Sequence, residues 1–189
     1  MNLVVVVCHF KENLDWINKI KHEVIVYNKN PDEIDLFKIN MPNLGFDTIV
    51  YLSYIIDNYD NLPDYVCFSQ DDPFYHCPNF IGRVNDFDFK KPFHPLGISY
   101  ERGAYHVIQQ TTEYANEVGI EYEMPIKFIN SAQCIVSKDL ILKRPKESYQ
   151  KIKDSIPSQV ISNTNYLIEY LWPTILNFNK ELEISRFNC

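Results

Sequence analysis

The sequence predicts an α/β fold in which a mainly parallel central sheet is flanked by helices. Three observations predict it. Residues 3–8, Leu-Val-Val-Val-Val-Cys, form a continuous apolar run rich in β-branched side chains, the pattern of a strand buried on both faces. Apolar residues recur at helical spacing from Asp47 to Tyr59, through Ile49, Leu52 and Ile56. Tyr65 to Ser69 is then a further strand, so the first half reads β-α-β-α-β, the order of a parallel sheet.

Between these elements, Asn13 to Ile20 supplies a short helix, with Asn13 as its cap and Leu14, Ile17 and Ile20 on one face. Residues 23–27, Glu-Val-Ile-Val-Tyr, are a second strand that closes in the polar turn Asn28-Lys29-Asn30-Pro31. Asn40 to Asp47 is a loop holding Pro42 and Gly45, and Asn61-Leu62-Pro63 stops the main helix. The second half is less regular. It carries a helix from Ala104 to Val118, one strand from Lys127 to Val136, a helix capped by Ser137, and a last helix from Asn165 to Leu171 that ends before Trp172-Pro173.

With 189 residues and no linker or repeat, the chain reads as a single domain over 1–189. A hydrophobic fraction of 46% with 13 Tyr, 12 Phe and 2 Trp excludes a disordered chain. The net charge of −7 and the lack of any Lys/Arg block argue against a nucleic-acid groove. No apolar stretch reaches the ~20 residues needed to cross a bilayer, and the first strand lacks the basic flank of a signal peptide. The five cysteines are scattered without a CxxC pair, which predicts reduced core thiols in a cytoplasmic protein.

Residues 66–76 carry the chemistry. An apolar strand ends in Gln70-Asp71-Asp72, followed by Pro73 and His76. Adjacent carboxylates repel unless a cation or donors lie between them. Oxygen-rich corners at the C-terminal edge of a parallel sheet suit Mg²⁺ or Mn²⁺ shared with a substrate phosphate. In such a sheet the loops after successive strands emerge together. His9 and Phe10 would line a base and ribose, and Lys29 would reach a phosphate. Asn43 and Gly45 would bring backbone amides close at the helix that begins at Asp47, and Asp71 and Asp72 would hold the metal of a nucleotide-sugar donor. Each has a bland alternative: Lys29 as a solvated turn lysine, Asp47 as a helix cap, Asp71-Asp72 as a turn before Pro73, and His76 as a satisfied loop histidine.

The ordered motifs Asn43-Leu44-Gly45-Phe46-Asp47, Tyr51-Leu52, Asn58-Tyr59-Asp60-Asn61-Leu62-Pro63-Asp64 and Phe68-Ser69-Gln70 resemble the DUF3431 family. Asp15-Trp16, Tyr27-Asn28-Lys29, Ser131 to Ser137, Arg144-Pro145, Tyr149 and Glu169 to Pro173 follow the same pattern, from the first strand to Trp172. The resemblance implies a GT-A-like glycosyltransferase, related to a viral domain that uses a nucleotide-sugar donor and a divalent metal. It would be a hexosyltransferase type, taking a UDP- or GDP-sugar and a glycan or protein acceptor, with Mn²⁺ or Mg²⁺ as cofactor. Asp72, Asp71 and His76 would be metal ligands, Gln70 and Asp47 would lie at the donor, and Glu169 would be the catalytic base, its bland alternative being a helix-surface acid paired with a lysine. Two departures stand out. Phe46-Asp47 replaces the usual Arg-Glu, and Gln70-Asp71-Asp72 is not a strict Asp-x-Asp. A GT-A-like module without catalysis, binding a glycan or a protein, is the competing expectation, and a metal-dependent phosphohydrolase ranks behind both.

Overall fold

The structure, a computed structural model, describes residues 1–32, 38–102, 105–157, 163–178 and 181–184. In chain order the regular elements are β1 (Leu3–His9), β2 (Glu23–Asn28), β3 (Ile39–Asn40), α1 (Asp47–Asn58), β4 (Tyr65–Gln70), α2 (Phe80–Asn85), β5 (Phe93–Pro95), β6 (Ser99–Arg102), α3 (Tyr105–Val118), β7 (Ile126–Ile129), β8 (Cys134–Ser137), α4 (Lys138–Ile141), α5 (Lys146–Asp154) and α6 (Asn163–Ile175). Short 3₁₀ turns occupy Asp15–Lys19, Tyr59–Asn61 and Asn130–Ala132.

The main sheet has the order β3-β2-β1-β4-β8-β5. Its first four strands are parallel, as the β-α-β-α-β reading predicts, and β8 and β5 extend it antiparallel. β1 lies at the centre, and its alternate side chains feed two separate apolar layers. Val4, Val6 and Cys8 join Val66, Phe68, α1, α5 and α6 on one face. Leu3, Val5 and Val7 join Trp16, Cys67, Phe80 and Leu96 on the other. A strand of period two is apolar throughout only when both faces are covered, which is what these two layers do.

Departures from the sequence reading cluster in the second half. The stretch read as one strand from Lys127 to Val136 is two. β7 pairs antiparallel with β6 in a separate two-stranded sheet, and β8 joins the main sheet. The chain turns between them with Ser131 (φ 72°) and Ala132 (φ 56°) in the left-handed region, which costs a non-glycine residue about 1–2 kcal/mol. Gly97 backs this turn: a β-carbon there would lie 2.9 Å from the Asn130 carbonyl oxygen. The last helix starts earlier than expected and runs through Pro173 to Ile175. Burial of Trp172, Ile175 and Leu176 outweighs the helix hydrogen bond that Pro173 cannot make. Asn13 does not cap a helix as such. Its side-chain oxygen accepts the Asp15 amide at 2.6 Å in an Asx turn before the 3₁₀ turn. Ser137 caps α4 as expected, its hydroxyl accepting the Leu140 amide. Ala104, the expected start of the third helix, lies outside the described residues.

The thiols are only partly as expected. Cys8, Cys67 and Cys134 are free and buried, but Cys77 is disulfide-bonded. That bond removes part of the premise for a cytoplasmic protein. Among the described residues, no helix is long and apolar enough to cross a membrane.

Candidate functional site

The C-terminal edge of β1 and β4 presents two different polar regions. One is the carboxylate corner. The Asp71 Oδ2 atom accepts the backbone amides of Phe10 at 2.8 Å and of Lys11 and Glu12 at 3.3 Å each. His9 Nδ1 lies 3.5 Å from the same oxygen. Oδ1 accepts the Asp72 amide at 3.1 Å, and the Asp71 carbonyl accepts the Trp16 indole N–H at 2.8 Å. Three successive amides around one oxygen form an anion-binding nest, and here the anion is the protein's own side chain. Asp71 thus fastens the β1 loop to the end of β4. Asp72 is exposed, and its Oδ1 accepts the Phe74 amide at 3.2 Å.

Lys29 and Gly45 also turn inward. Lys29 is buried, and its ammonium donates to the carbonyls of Gly45 and, at 3.1 Å, Phe46. Gly45 adopts φ +48°, and a β-carbon there would lie 2.8 Å from Ile156 Cγ2. Its conformation and its packing both require glycine. Phe10 is exposed, with Lys11 Nζ 5.1 Å from its ring centroid, and Asn43 is partly exposed in the loop before Gly45.

The second region is a cleft of about 370 Å³, bounded by the start of α1, the loop after β4, the 130–132 turn and the first turns of α6. Asp47, Gln70, His76 and Glu169 all line it, although they come from four separate segments. Asp47 Oδ2 accepts the Gln70 side-chain amide at 2.5 Å, and the carboxyl also accepts the Cys8 thiol. Burial pushes the Asp47 carboxyl above the usual carboxylate range, and Gln70, Cys8 and Lys29 oppose that shift. Burial lowers the His76 pKa against the pull of Asp47 and Asp72, which favours the neutral imidazole at neutral pH. His76 Nδ1 lies 3.4 Å from Asn130 Nδ2. Glu169 Oε1 accepts the Ser131 amide at 3.0 Å, so the left-handed turn aims one backbone donor at one carboxylate. Gln133, fully buried, ties the region together. It accepts the Gln70 amide at 3.1 Å and donates to the Leu96 carbonyl at 3.2 Å.

Three further side chains line the same cleft: Thr48 (3% exposed), Ser131 (7%) and Asn165 (1%). The Thr48 and Ser131 hydroxyls and both ends of the Asn165 amide have no hydrogen-bond partner among the described residues. Such groups cost about 1–3 kcal/mol each when left unsatisfied. Their placement follows from helix geometry. Asn165 and Glu169 are one turn apart on α6, on the same face, and Thr48 lies in the first turn of α1. The signal available in the sequence is that Asn165 occupies an apolar-stripe position, three residues before buried Ile168 and seven before buried Trp172.

For a divalent cation, the corner fits only in part. Asp71 is surrounded by N–H donors and does not fit as a ligand. Asp72 has a carboxylate oxygen outside its Asx turn and fits as the single protein carboxylate that Mg²⁺ or Mn²⁺ can share with phosphates. Among the described residues, no group of three or more His, Cys, Asp or Glu is placed to hold a metal ion.

Fold and edge together define a mixed α/β protein with a polar cleft beside the C-terminal ends of its parallel strands. Residues 4–85 match the model of the family described as "Protein of unknown function (DUF3431)", which supports the family that the motifs indicated. The match covers β1 to α2, and the far wall of the cleft (Ser131, Asn165 and Glu169) lies beyond it. No curated protein and no solved structure matches the chain.

Proposed function

We propose that the protein is a glycosyltransferase that moves a sugar from a UDP- or GDP-linked donor to a hydroxyl of a glycan or protein acceptor in the cleft between Asp47 and Glu169. The supporting observation is the cleft itself, which is lined by two carboxylates and by residues carrying buried, unpartnered hydrogen-bonding groups at the strand edge of an α/β sheet. Glu169, held at one oxygen by the Ser131 amide, accepts the proton of the attacking hydroxyl. The new C–O bond forms at the anomeric carbon as the bond to the diphosphate breaks. Asp47 and Gln70, linked to each other, orient the sugar, and Lys29 holds the Gly45–Phe46 backbone behind them. A cation held at Asp72 would neutralise charge on the departing diphosphate. The GT-A-like assignment of the fold belongs to this same reading.

The test is release of free sugar from a panel of UDP- and GDP-sugars, with and without Mn²⁺, followed by transfer to simple glycans. Glu169→Gln is expected to lower turnover about 100-fold or more, with donor affinity retained. Wild-type turnover in that variant, or none in the wild type with any donor, overturns the proposal. A non-catalytic binding module is favoured by one observation: both carboxylates already accept hydrogen bonds from the protein. Donor binding without turnover in the wild type is the outcome it predicts.

A further inference from the structure

We infer that Thr48, Ser131 and Asn165 form a subsite for a neutral, polyhydroxylated sugar ring, from which the charged diphosphate is excluded. The buried groups supply both donors and acceptors. Each hydroxyl can give one hydrogen bond and accept others, and the Asn165 amide gives two and accepts at its oxygen. A ring of sugar hydroxyls also both gives and accepts, so each group in the cleft finds a complement there. The ionised diphosphate of a nucleotide sugar only accepts, and would leave the Asn165 oxygen without a donor.

Charge points the same way. The cleft carries Asp47 and Glu169, and among its described lining residues there is no lysine or arginine. The Lys29 ammonium, whose charge acts on Asp47, is turned into the Gly45 and Phe46 carbonyls. The start of α1 would favour an anion, and Asp47 already fills that role. Carboxylates strengthen binding of sugar hydroxyls by accepting from them, whereas they repel phosphate. The volume of about 370 Å³ falls at the lower end of small-ligand pockets, ~300–1,000 Å³.

The subsite rests on the sugar-transfer reading but is tested apart from it. Saturation-transfer NMR and calorimetry on the full chain would use free glucose, galactose, mannose and N-acetylglucosamine, with inorganic phosphate as the contrasting probe. At least one hexose is expected to bind, and phosphate is expected not to displace it. Asn165→Leu is expected to weaken hexose binding at least tenfold while the melting temperature stays level or rises, because the substitution removes an unpartnered amide from a buried place. A purely structural asparagine would give a lower melting temperature instead. Thr48→Val, a change of one hydroxyl, is expected to weaken binding about threefold to tenfold, and keeps the test decisive if Asn165→Leu does not fold. Hexose binding by neither wild type nor variant, hexose binding unchanged in both variants, or displacement by phosphate overturns the subsite. Competition between a UDP-sugar and the free hexose assigns the subsite to the donor's sugar; independent binding assigns it to the acceptor. Hexose binding without turnover leaves the subsite standing and removes transfer, whereas turnover indifferent to both variants does the reverse.

Discussion

At the end of β4, two polar regions lie side by side and differ in how they are satisfied. In the carboxylate corner, Asp71 is ringed by amides from the β1 loop, so its charge holds the protein to itself. In the cleft, Asn165, Thr48 and the Ser131 hydroxyl are more deeply buried and have no partner among the described residues. A buried polar group that the protein satisfies is architecture. One that the protein leaves unsatisfied at a cleft wall is what the proposed sugar subsite rests on. The difference inverts the weight that residue type alone assigns, since adjacent carboxylates look like chemistry and a single asparagine in a helix looks like nothing.

The sharpest way to break this contrast is Asp71→Ala. Removing the acceptor of three loop amides is expected to cost about 3 kcal/mol in chemical denaturation. A loss below about 1 kcal/mol would mean that the corner is not structural. A smaller effect is expected at Asp47, where sign and pH dependence carry the information. Its folded carboxyl protonates at a higher pH than the ordinary 3.8, so the folded state holds the extra proton between 3.8 and the raised value. Stability therefore falls as pH rises through that window. Asp47→Asn is accordingly expected to match wild type in acid below 3.8. It should gain about 1 kcal/mol, or about 2–4 °C in melting temperature, at neutral pH. A gain confined to acid would contradict the burial that drives the shift. The least effect is expected from Asp72→Ala, about 0.5 kcal/mol or less, because the residue is exposed and closes only a local turn. If it matched Asp71→Ala, the two carboxylates would be acting as a pair, and the distinction between them would fail.

Much of the fold was legible because its causes are local. The β-branched run of β1 and the apolar spacing of α1 specify buried elements whatever they pack against. The candidate site is legible in part. Asp47, Gln70 and His76 stand at strand and helix ends in the sequence and Glu169 enters through the family resemblance, and the structure gathers all four on one cleft. Lys29, Gly45 and Asp71 read as ligand contacts in the sequence, and the structure gives each an internal partner or packing role. Neither Thr48 nor Asn165 stands out in the sequence, since a lone polar residue on an apolar stripe has meaning only once its neighbours are known. The break at Ser131 is silent in the sequence because no glycine or proline marks it.

By itself the sequence determined a parallel α/β core with a buried central strand, a polar strand edge and an acidic corner there. These follow from periodicity and from residue chemistry within a few positions of one another. Only the tertiary structure decided that Asp71 faces inward, that residues 127–136 divide between two sheets, and that α6 completes a cleft with α1. Those outcomes depend on hydrogen bonds between residues about 40 to 60 positions apart, such as Phe10 to Asp71 and Ser131 to Glu169. Whether a carboxylate becomes a clasp or a ligand is fixed by which donors the folded chain brings within reach, and no local pattern encodes that.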